Sequence, residues 1–456
     1  MANEIQSDAA KPADAAKPAG ENKGNMFAIA IMFMLFFMIA FVTNFAGSMG
    51  IIVKNQFGAS NTASQFGSAA NFFAYLFMGI PGGLILKRKG YKFTALLAVA
   101  VGILGVGIQL VSGYCGFIEA MPDVYVLAFG KVGSFGLYVT GAFVAGFSMC
   151  LLNLVVNPLL NTLGGGGNKG NQLVQFGCSL NSIGATLAPI LLGYLIGGEV
   201  AKAKVTDAAP ALWIAIGIFA LAFVVLAFSQ IPEPHMETAE EKAARTPVLK
   251  DIAATLKFRH FTLGAIAIFM YITVETGIPN QANLYMSAEK LGDTANPAFV
   301  GAAVAGAVVG VYWFCMMIGR LIGGAIGGKV SSRMQITICS LVGILLMLAT
   351  IYTPVKMITV FGKTFPLSMC FMALCGLVTS VMWGGIFNMA AEGLGKYVPM
   401  GSGIFMAMVV GGLMLPVQGM IADKIGYLNS YWLTIALLAY ILFYALIGSR
   451  VTKRAE

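Results

Sequence analysis

Residues 231–260 read IPEPHMETAEEKAARTPVLKDIAATLKFRH, the longest polar stretch after residue 25, and they separate a pair of apolar runs of nearly equal length. Upstream lie six apolar windows, near 26–52, 64–86, 93–113, 133–160, 173–198 and 210–230. Downstream lie six more, near 261–285, 299–327, 335–353, 366–391, 401–422 and 429–449. About 20 apolar residues, at about 1.5 Å each, span about 30 Å of hydrocarbon, so each window has the length of one membrane crossing. The alternating segments of a β-barrel are absent, and helices satisfy their own backbone in lipid. With 58% hydrophobic and 10% charged residues and a mean hydropathy of +0.83, the chain needs a bilayer as solvent. The expected fold is an all-α integral membrane protein of twelve transmembrane helices. It divides into a polar arm (1–25), a first six-helix half (26–230), the linker (231–260), a second half (261–449) and a tail (450–456).

Charge sets the expected orientation. With both termini cytoplasmic, 19 of the 28 Lys and Arg fall on inner segments and 8 on outer ones, while Arg320 lies inside a window. The net charge of +9 is therefore a topology signal, and no nucleic-acid partner is expected. Residues 1–25 repeat Ala-Ala-Lys-Pro-Ala, as a disordered arm does, and the apolar run that follows is too long for a signal core. Of seven cysteines, only Cys115 lies in an outward loop, so no disulfide is expected. His235 and His260 read as lying at or near the inner surface, and no metal or other cofactor is expected.

The two halves repeat one another. Asn157-x3-Asn161-x-Leu163-Gly164 ends the fourth window and Asn388-x3-Glu392-x-Leu394-Gly395 ends the tenth, 231 residues later. Gly184-x4-Pro189 in the fifth window has its counterpart in Gly411-x4-Pro416 in the eleventh, and Gly83 before a basic cluster has a weaker one in Gly324. Two parallel six-helix repeats with a site between them are transporter architecture. Glycine (56 residues) lets such helices approach closely, and Pro158, Pro189, Pro279 and Pro416 each remove an intrahelical hydrogen bond.

Several motifs carry a family resemblance. Gly83-Leu-Ile-Leu-Lys-Arg-Lys-Gly-Tyr-Lys92 resembles the loop motif of the major facilitator superfamily, with Lys87 where an Asp is usual. Phe41-Val-Thr-Asn44, Asn157-Pro158, Asn181-Ser182-Ile-Gly184, Tyr312-Trp313, Ile318-Gly319-Arg320, Glu392-Gly-Leu-Gly-Lys396 and Gly401-Ser-Gly403 recur in the order found in the fucose/galactose/glucose to proton symporter family. The resemblance spans about 26–449. It implies a monosaccharide substrate, a bacterial inner membrane, and sugar-facing amides at Asn44 and Asn181. Fucose-transporting members carry an Asp where this chain has Gly47 and a Glu where it has Asn153, so both titratable groups are replaced. A role for Lys87 and Arg88 in gating is likewise carried by the resemblance.

Side-chain chemistry points the same way. Sugar hydroxyls both donate and accept, which amides answer, and indole rings answer the apolar ring face. Asn153, Asn157 and Asn161 recur at i, i+4 and i+8, forming one polar stripe that must face protein or water. Substrate binding by Asn153 and Asn157 stands against interhelical hydrogen bonding that only holds the bundle. Of Gln175 and Asn181, one is expected to touch substrate and the other to brace. Trp383 and Asn388, with Trp313, are the aromatic and amide candidates of the second half, against packing alone.

Among nineteen carboxylates, only Glu275 lies well inside a window. It opens the breakable stretch Glu275-Thr276-Gly277-Ile278-Pro279-Asn280-Gln281-Ala282-Asn283, in which Pro279 leaves the carbonyl of residue 275 without its helical donor. Glu275 could carry a proton, or with that carbonyl and Asn280 hold a sodium ion. A structural pair with Arg320 is the alternative. Counting about 1.5 Å per residue separates the two by about 11 Å along the membrane normal, which strains direct pairing. Arg320 then snorkels inward or caps carbonyls, and Glu392 with Lys396, at i and i+4, forms an interfacial ion pair or an inward latch. The expectation is a monomeric importer of a neutral sugar, coupled to a proton or sodium ion. A uniporter and a carrier or exporter of another neutral solute are the alternatives. A flux-free sensor lacks room for an output domain, and no paired acids or nucleophile–base set suggests an enzyme.

Overall fold

The computed structural model describes residues 25–42, 66–114, 133–195, 207–234, 247–288 and 302–455, with short pieces at 236, 290–291 and 294–300. Asn44, Gly47, Cys115, His235 and nearly all of the 1–25 arm lie outside the described residues. The first half comprises α1 (Asn25–Val42), α2 (Phe66–Tyr114), α3 (Gly133–Leu163), α4 (Gly167–Leu195) and α5 (Ala209–Phe228). After the short linker helix α6 (Val248–Leu256) come α7 (Arg259–Ser287), a small hairpin β1 (Lys290–Leu291) and β2 (Thr294–Ala295), α8 (Ala302–Gly327) and α9 (Ser332–Tyr352). A second hairpin, β3 (Met357–Val360) and β4 (Lys363–Pro366), leads to α10 (Ser368–Thr379), α11 (Met382–Ala391), α12 (Val398–Ala407), α13 (Leu415–Ile425) and α14 (Tyr431–Phe443).

Ten described stretches are long and apolar enough to cross a membrane. One of them, Ala69–Gly113, has 45 residues, about 67 Å of helix and enough for two crossings. Adding α4, which has 29 residues and corresponds to the fifth window, gives the twelve expected crossings. Four windows differ from expectation. The second and third windows form the single run α2, turned at Gly90. The tenth window breaks between α10 and α11, and the eleventh passes from α12 through a 3-10 segment, Met408–Met414, to α13 with Pro416 in its first turn. The β3–β4 hairpin has no counterpart among the expected elements. Its two-residue turn, Phe361-Gly362, has positive φ at both positions (48° and 73°), the geometry that matches strand twist.

The repeat seen in the sequence is also a repeat of packing. In the first half, Gly184 presses its backbone against the carbonyl of Phe37 in α1, and in the second Gly411 does the same to Phe269 in α7. Each half thus seats its fifth crossing on its first. The middle of α3, residues 148–160, is buried on every face, which is why that segment is apolar all round apart from Ser148 and two asparagines.

At the end of the bundle that carries the linker, the polar connections tie elements together. Gly90 (φ 83°, ψ 179°) holds a backbone conformation open in practice only to glycine, and a Cβ there would strike the carboxylate of Glu233. That carboxylate accepts from the backbone N–H groups of Tyr91 and, at 2.9 Å, Lys92, capping the start of the third crossing. Reciprocally, Lys92 Nζ donates to the carbonyls of Ala227 (2.8 Å) and Ser229 (2.7 Å) at the end of α5. In α6, Asp251 meets Lys87 Nζ at 3.1 Å. His260, the second residue of α7, lies at this linker end with its side chain packed in the protein, its ring donating Nε2–H to the carbonyl of Glu392 at 2.8 Å.

Gly90→Ala is expected to destabilise the fold by about 1–3 kcal/mol, the cost of a side chain in that backbone region. Thermal unfolding of the purified protein in detergent checks this, and an unchanged midpoint would remove Gly90 from the turn's constraints.

Candidate functional site

The two halves meet along a seam that is tight at the linker end. On one edge, α2 lies against α12 with little side chain between them. A Cβ at Gly79 or Gly83 would approach the carbonyls of Gly403 and Pro399 to 2.6 Å. On the other edge α4 lies against α8. There Phe176 covers Gly324, and Arg320 Nη1 donates to Ser182 Oγ (2.6 Å) and the Cys178 carbonyl (3.1 Å).

Between these edges the seam is crossed by amides. Trp383 Nε1 donates to Asn157 Oδ1 at 3.0 Å, Gln175 Nε2 to the Val381 carbonyl at 2.9 Å, and Asn161 Nδ2 to Asn388 Oδ1 at 3.0 Å. Each bond joins one half to the other. Asn388 in turn donates to Ser332 Oγ at 3.1 Å. An aromatic column, Trp383 on Phe405 (5.8 Å) on Phe387 (5.2 Å), thickens the barrier.

The barrier divides two cavities. A central one of about 380 Å³ lies on the side away from the linker, and a vestibule of about 500 Å³ lies at the linker end, lined by Lys87, Asn161, Phe387 and Lys396 among others. The central cavity takes polar atoms from Asn153, Asn181 and Ser182 of the first half and from Glu275, Asn280 and Arg320 of the second. Its apolar walls include Phe36, Phe72, Trp313 and Trp383. A space of this size, mostly apolar with a few convergent polar groups, suits a small ligand.

Of the residues singled out in the sequence, Asn153, Asn181, Trp383, Glu275, Asn280 and Arg320 line the central cavity. Asn157, Gln175 and Asn388 do not, since their amides are spent on the seam. Of this α4 pair it is therefore Asn181 that faces the cavity, with Nδ2 on the Phe36 carbonyl at 3.2 Å, and Gln175 that braces. Arg88 is exposed at the linker end. Glu392 and Lys396 do not pair, because α11 ends at Ala391 and Glu392 turns to an extended conformation, removing the i, i+4 register. Glu392 instead meets Arg454 at 3.4 Å, and Lys396 lies over the Tyr397 ring at 5.8 Å.

The expectation about Glu275 and Arg320 also needs correction, for Arg320 Nη2 donates to Glu275 Oε1 at 3.0 Å. Counting residues from the helix ends ignores that side chains lean toward the N-terminus of their helix. With α7 and α8 antiparallel, Glu275 and Arg320 lean toward each other and close the gap. The carbonyl of Glu275, deprived of its donor by Pro279, accepts instead from Tyr312 Oη at 3.1 Å. It is thus not left open for a cation. Sequence reasoning gives this role of Tyr312 no signal, and it misses Tyr75, a cavity-lining tyrosine in α2 that accepts from Asn153 Nδ2 at 3.0 Å. A single tyrosine in an apolar window has no periodicity to betray it; only its depth, far from an interfacial belt, marks it.

The comparisons with known proteins agree with this geometry. A family model described as the Major Facilitator Superfamily matches residues 30–414. A glucose/galactose transporter of Brucella abortus is 29% identical over 432 residues, covering 93% of this chain and 94% of that protein. The L-fucose-proton symporter of Escherichia coli K12 is 20% identical over 447 residues, covering 94% of each. A crystal structure of the transporter FucP in the outward conformation superposes with a TM-score of 0.75 at 18% identity, covering 94% of this chain and all of that one.

Removing one member of the Glu275–Arg320 pair leaves a buried charge alone, at a cost of about 3–5 kcal/mol, whereas neutralising both leaves none. Arg320→Gln is accordingly expected to lower thermal stability in detergent more than the double variant Glu275→Gln/Arg320→Gln. The reverse order would mean that the pair is not what stabilises either group.

Proposed function

The chain belongs to the Major Facilitator Superfamily, and from that premise we propose that it imports a neutral monosaccharide by alternating access, in symport with a cation. The observation that carries this reading is the central cavity, about 380 Å³ of amides and aromatic faces in which, among the described residues, the one acid is already paired with the one base. An ionised substrate would face a site with no spare charge to meet it. A sugar needs none, and trades water for amide and hydroxyl partners while an indole covers its apolar face. The names of the relatives, glucose/galactose transporters and a fucose-proton symporter, support the same substrate class.

In this reading Asn181 and Asn280 are sugar ligands, and Asn280 has no hydrogen-bond partner among the described residues. Trp383 does double duty, presenting its ring to the cavity while its N–H holds the seam. Asn44, a candidate ligand by resemblance, belongs to the same set. The seam shut at the linker end leaves the cavity to be filled from the opposite side. With both termini cytoplasmic, that side is the exterior of a bacterial inner membrane, and the chain works as a monomer. Opening the linker end requires separating Trp383 from Asn157, Asn161 from Asn388, and Arg320 from the carbonyl and hydroxyl of α4.

Arg320 makes coupling chemically direct. It is shared between Glu275 in its own half and Ser182 and Cys178 in the other. A proton on Glu275 removes one partner of the guanidinium, and so changes the balance at the seam edge. The same pair favours a second reading, a uniporter, since a carboxylate with a permanent internal counter-ion has no need of an external one.

Counterflow in proteoliposomes with D-glucose, D-galactose and L-fucose, with proton and sodium gradients imposed separately, tests both readings. Symport predicts that one gradient drives accumulation and that Glu275→Gln abolishes it while exchange continues; accumulation insensitive to both gradients leaves the uniporter. Asn181→Ala is expected to weaken sugar affinity about fivefold, the worth of one neutral hydrogen bond. Absence of exchange for every sugar of the panel in the unaltered protein would overturn the sugar reading.

A further inference from the structure

Tyr75 lines the central cavity, and the directions of the hydrogen bonds behind it can be settled from chemistry alone. An indole N–H can only donate, so the 3.0 Å bond from Trp383 Nε1 fixes Oδ1 of Asn157 toward the ring. Asn157 Nδ2 therefore faces the other way, donating to the main-chain carbonyl of Asn153 at 2.9 Å and to its Oδ1 at 3.2 Å. That turns Nδ2 of Asn153 outward, where it donates to the Met149 carbonyl at 3.1 Å and to Tyr75 Oη at 3.0 Å. The Tyr75 oxygen is an acceptor in this chain, and its own single proton has no acceptor among the described residues. What remains in front of it is the cavity.

We propose that Tyr75 is a sugar-contacting residue whose hydroxyl donates to a sugar oxygen, and that Asn153 and Asn157 link this bond to the Trp383 bond closing the seam. The inference rests on the sugar reading above and names a ligand and a coupling route within that site. Asn153 is a positioning residue here, because its donor and acceptor are both engaged by protein. Hydrogen bonds in a chain polarise one another, so Tyr75 is a stronger donor while Trp383 still donates to Asn157. When the halves separate at the linker end, Trp383 leaves Asn157, the chain loses its first donor, and the grip of Tyr75 slackens. The site then holds sugar best while the seam is shut and releases it as the seam opens. By reciprocity, bound sugar favours the shut seam.

The test is a double-mutant cycle in sugar affinity on the purified full chain, using D-glucose, D-galactose and L-fucose as probes and thermal unfolding to verify folding. Tyr75→Phe keeps the ring and removes only the hydroxyl, and is expected to weaken binding about tenfold. Asn157→Leu interrupts the chain and is expected to weaken binding severalfold in the unaltered background but no further in Tyr75→Phe. A merely structural Asn157 would weaken both backgrounds by the same factor, which overturns the coupling route. Equal affinity of Tyr75→Phe and the unaltered protein overturns the contact itself, while binding by the unaltered protein keeps the sugar reading intact. Failure of the unaltered protein to bind any of the three sugars sinks the sugar reading instead, before any variant is made. Should Tyr75→Phe not fold, the cycle is run between Asn153→Leu and Asn157→Leu: a second substitution that weakens binding no further supports the route, and factors that multiply overturn it.

Discussion

A polar side chain inside hydrocarbon has no water to turn to, and this one constraint arranges the whole interior. Every amide in the middle of the bundle must find a protein partner or face an enclosed aqueous space. The partners available at that depth are other amides, helix carbonyls exposed by proline or glycine, and tyrosine hydroxyls. The structure uses all three. Asn157, Asn161 and Gln175 reach across the seam to Trp383, Asn388 and the Val381 carbonyl, and Tyr312 takes up the carbonyl that Pro279 sets free. Asn153, Asn181 and Asn280 line the central cavity, while Asn171 and Gln281 are buried outside it.

This division of labour gives the seam two properties at once. It is specific, because each bond needs one residue from each half at a fixed height. It is also separable, because each bond is a neutral hydrogen bond worth about 1 kcal/mol net and not an interlocked hydrophobic core. Glycines at 79, 83 and 403 keep the edge of α2 and α12 equally free of interdigitated side chains. A barrier of this kind can be shut and still be opened at a modest cost in free energy.

The sequence discloses the architecture well and the site only in outline. Twelve crossings and their twofold repeat are written in apolar length and in the matched Asn and Gly positions, because the bilayer imposes length and the repeat imposes spacing. Helical periodicity also shows that Asn153, Asn157 and Asn161 share a face. It does not show what stands opposite that face at each height: cavity for Asn153, an indole for Asn157, another amide for Asn161. Those are properties of two helices distant in the chain. The Glu275–Arg320 pair escapes residue counting because counts locate backbones, whereas charge pairing is decided at the tips of long side chains. Glu392 and Lys396 differ from expectation because one extended residue after α11 undoes a register that their spacing alone implies.

The two halves are related residue by residue, so their differences stand out as much as their likenesses. With the offset that brings Gly83 onto Gly324, Gly79 falls on Arg320. One flank of the interface is thus bare main chain against main chain, while the mirror flank carries a guanidinium clasp. Bare main chain answers to neither acidity nor counter-ions; a clasp buried in low dielectric is shielded from dissolved salt but yields to whatever discharges its acid. Of the two flanks, only the clasped one carries a group that can respond to the chemistry outside.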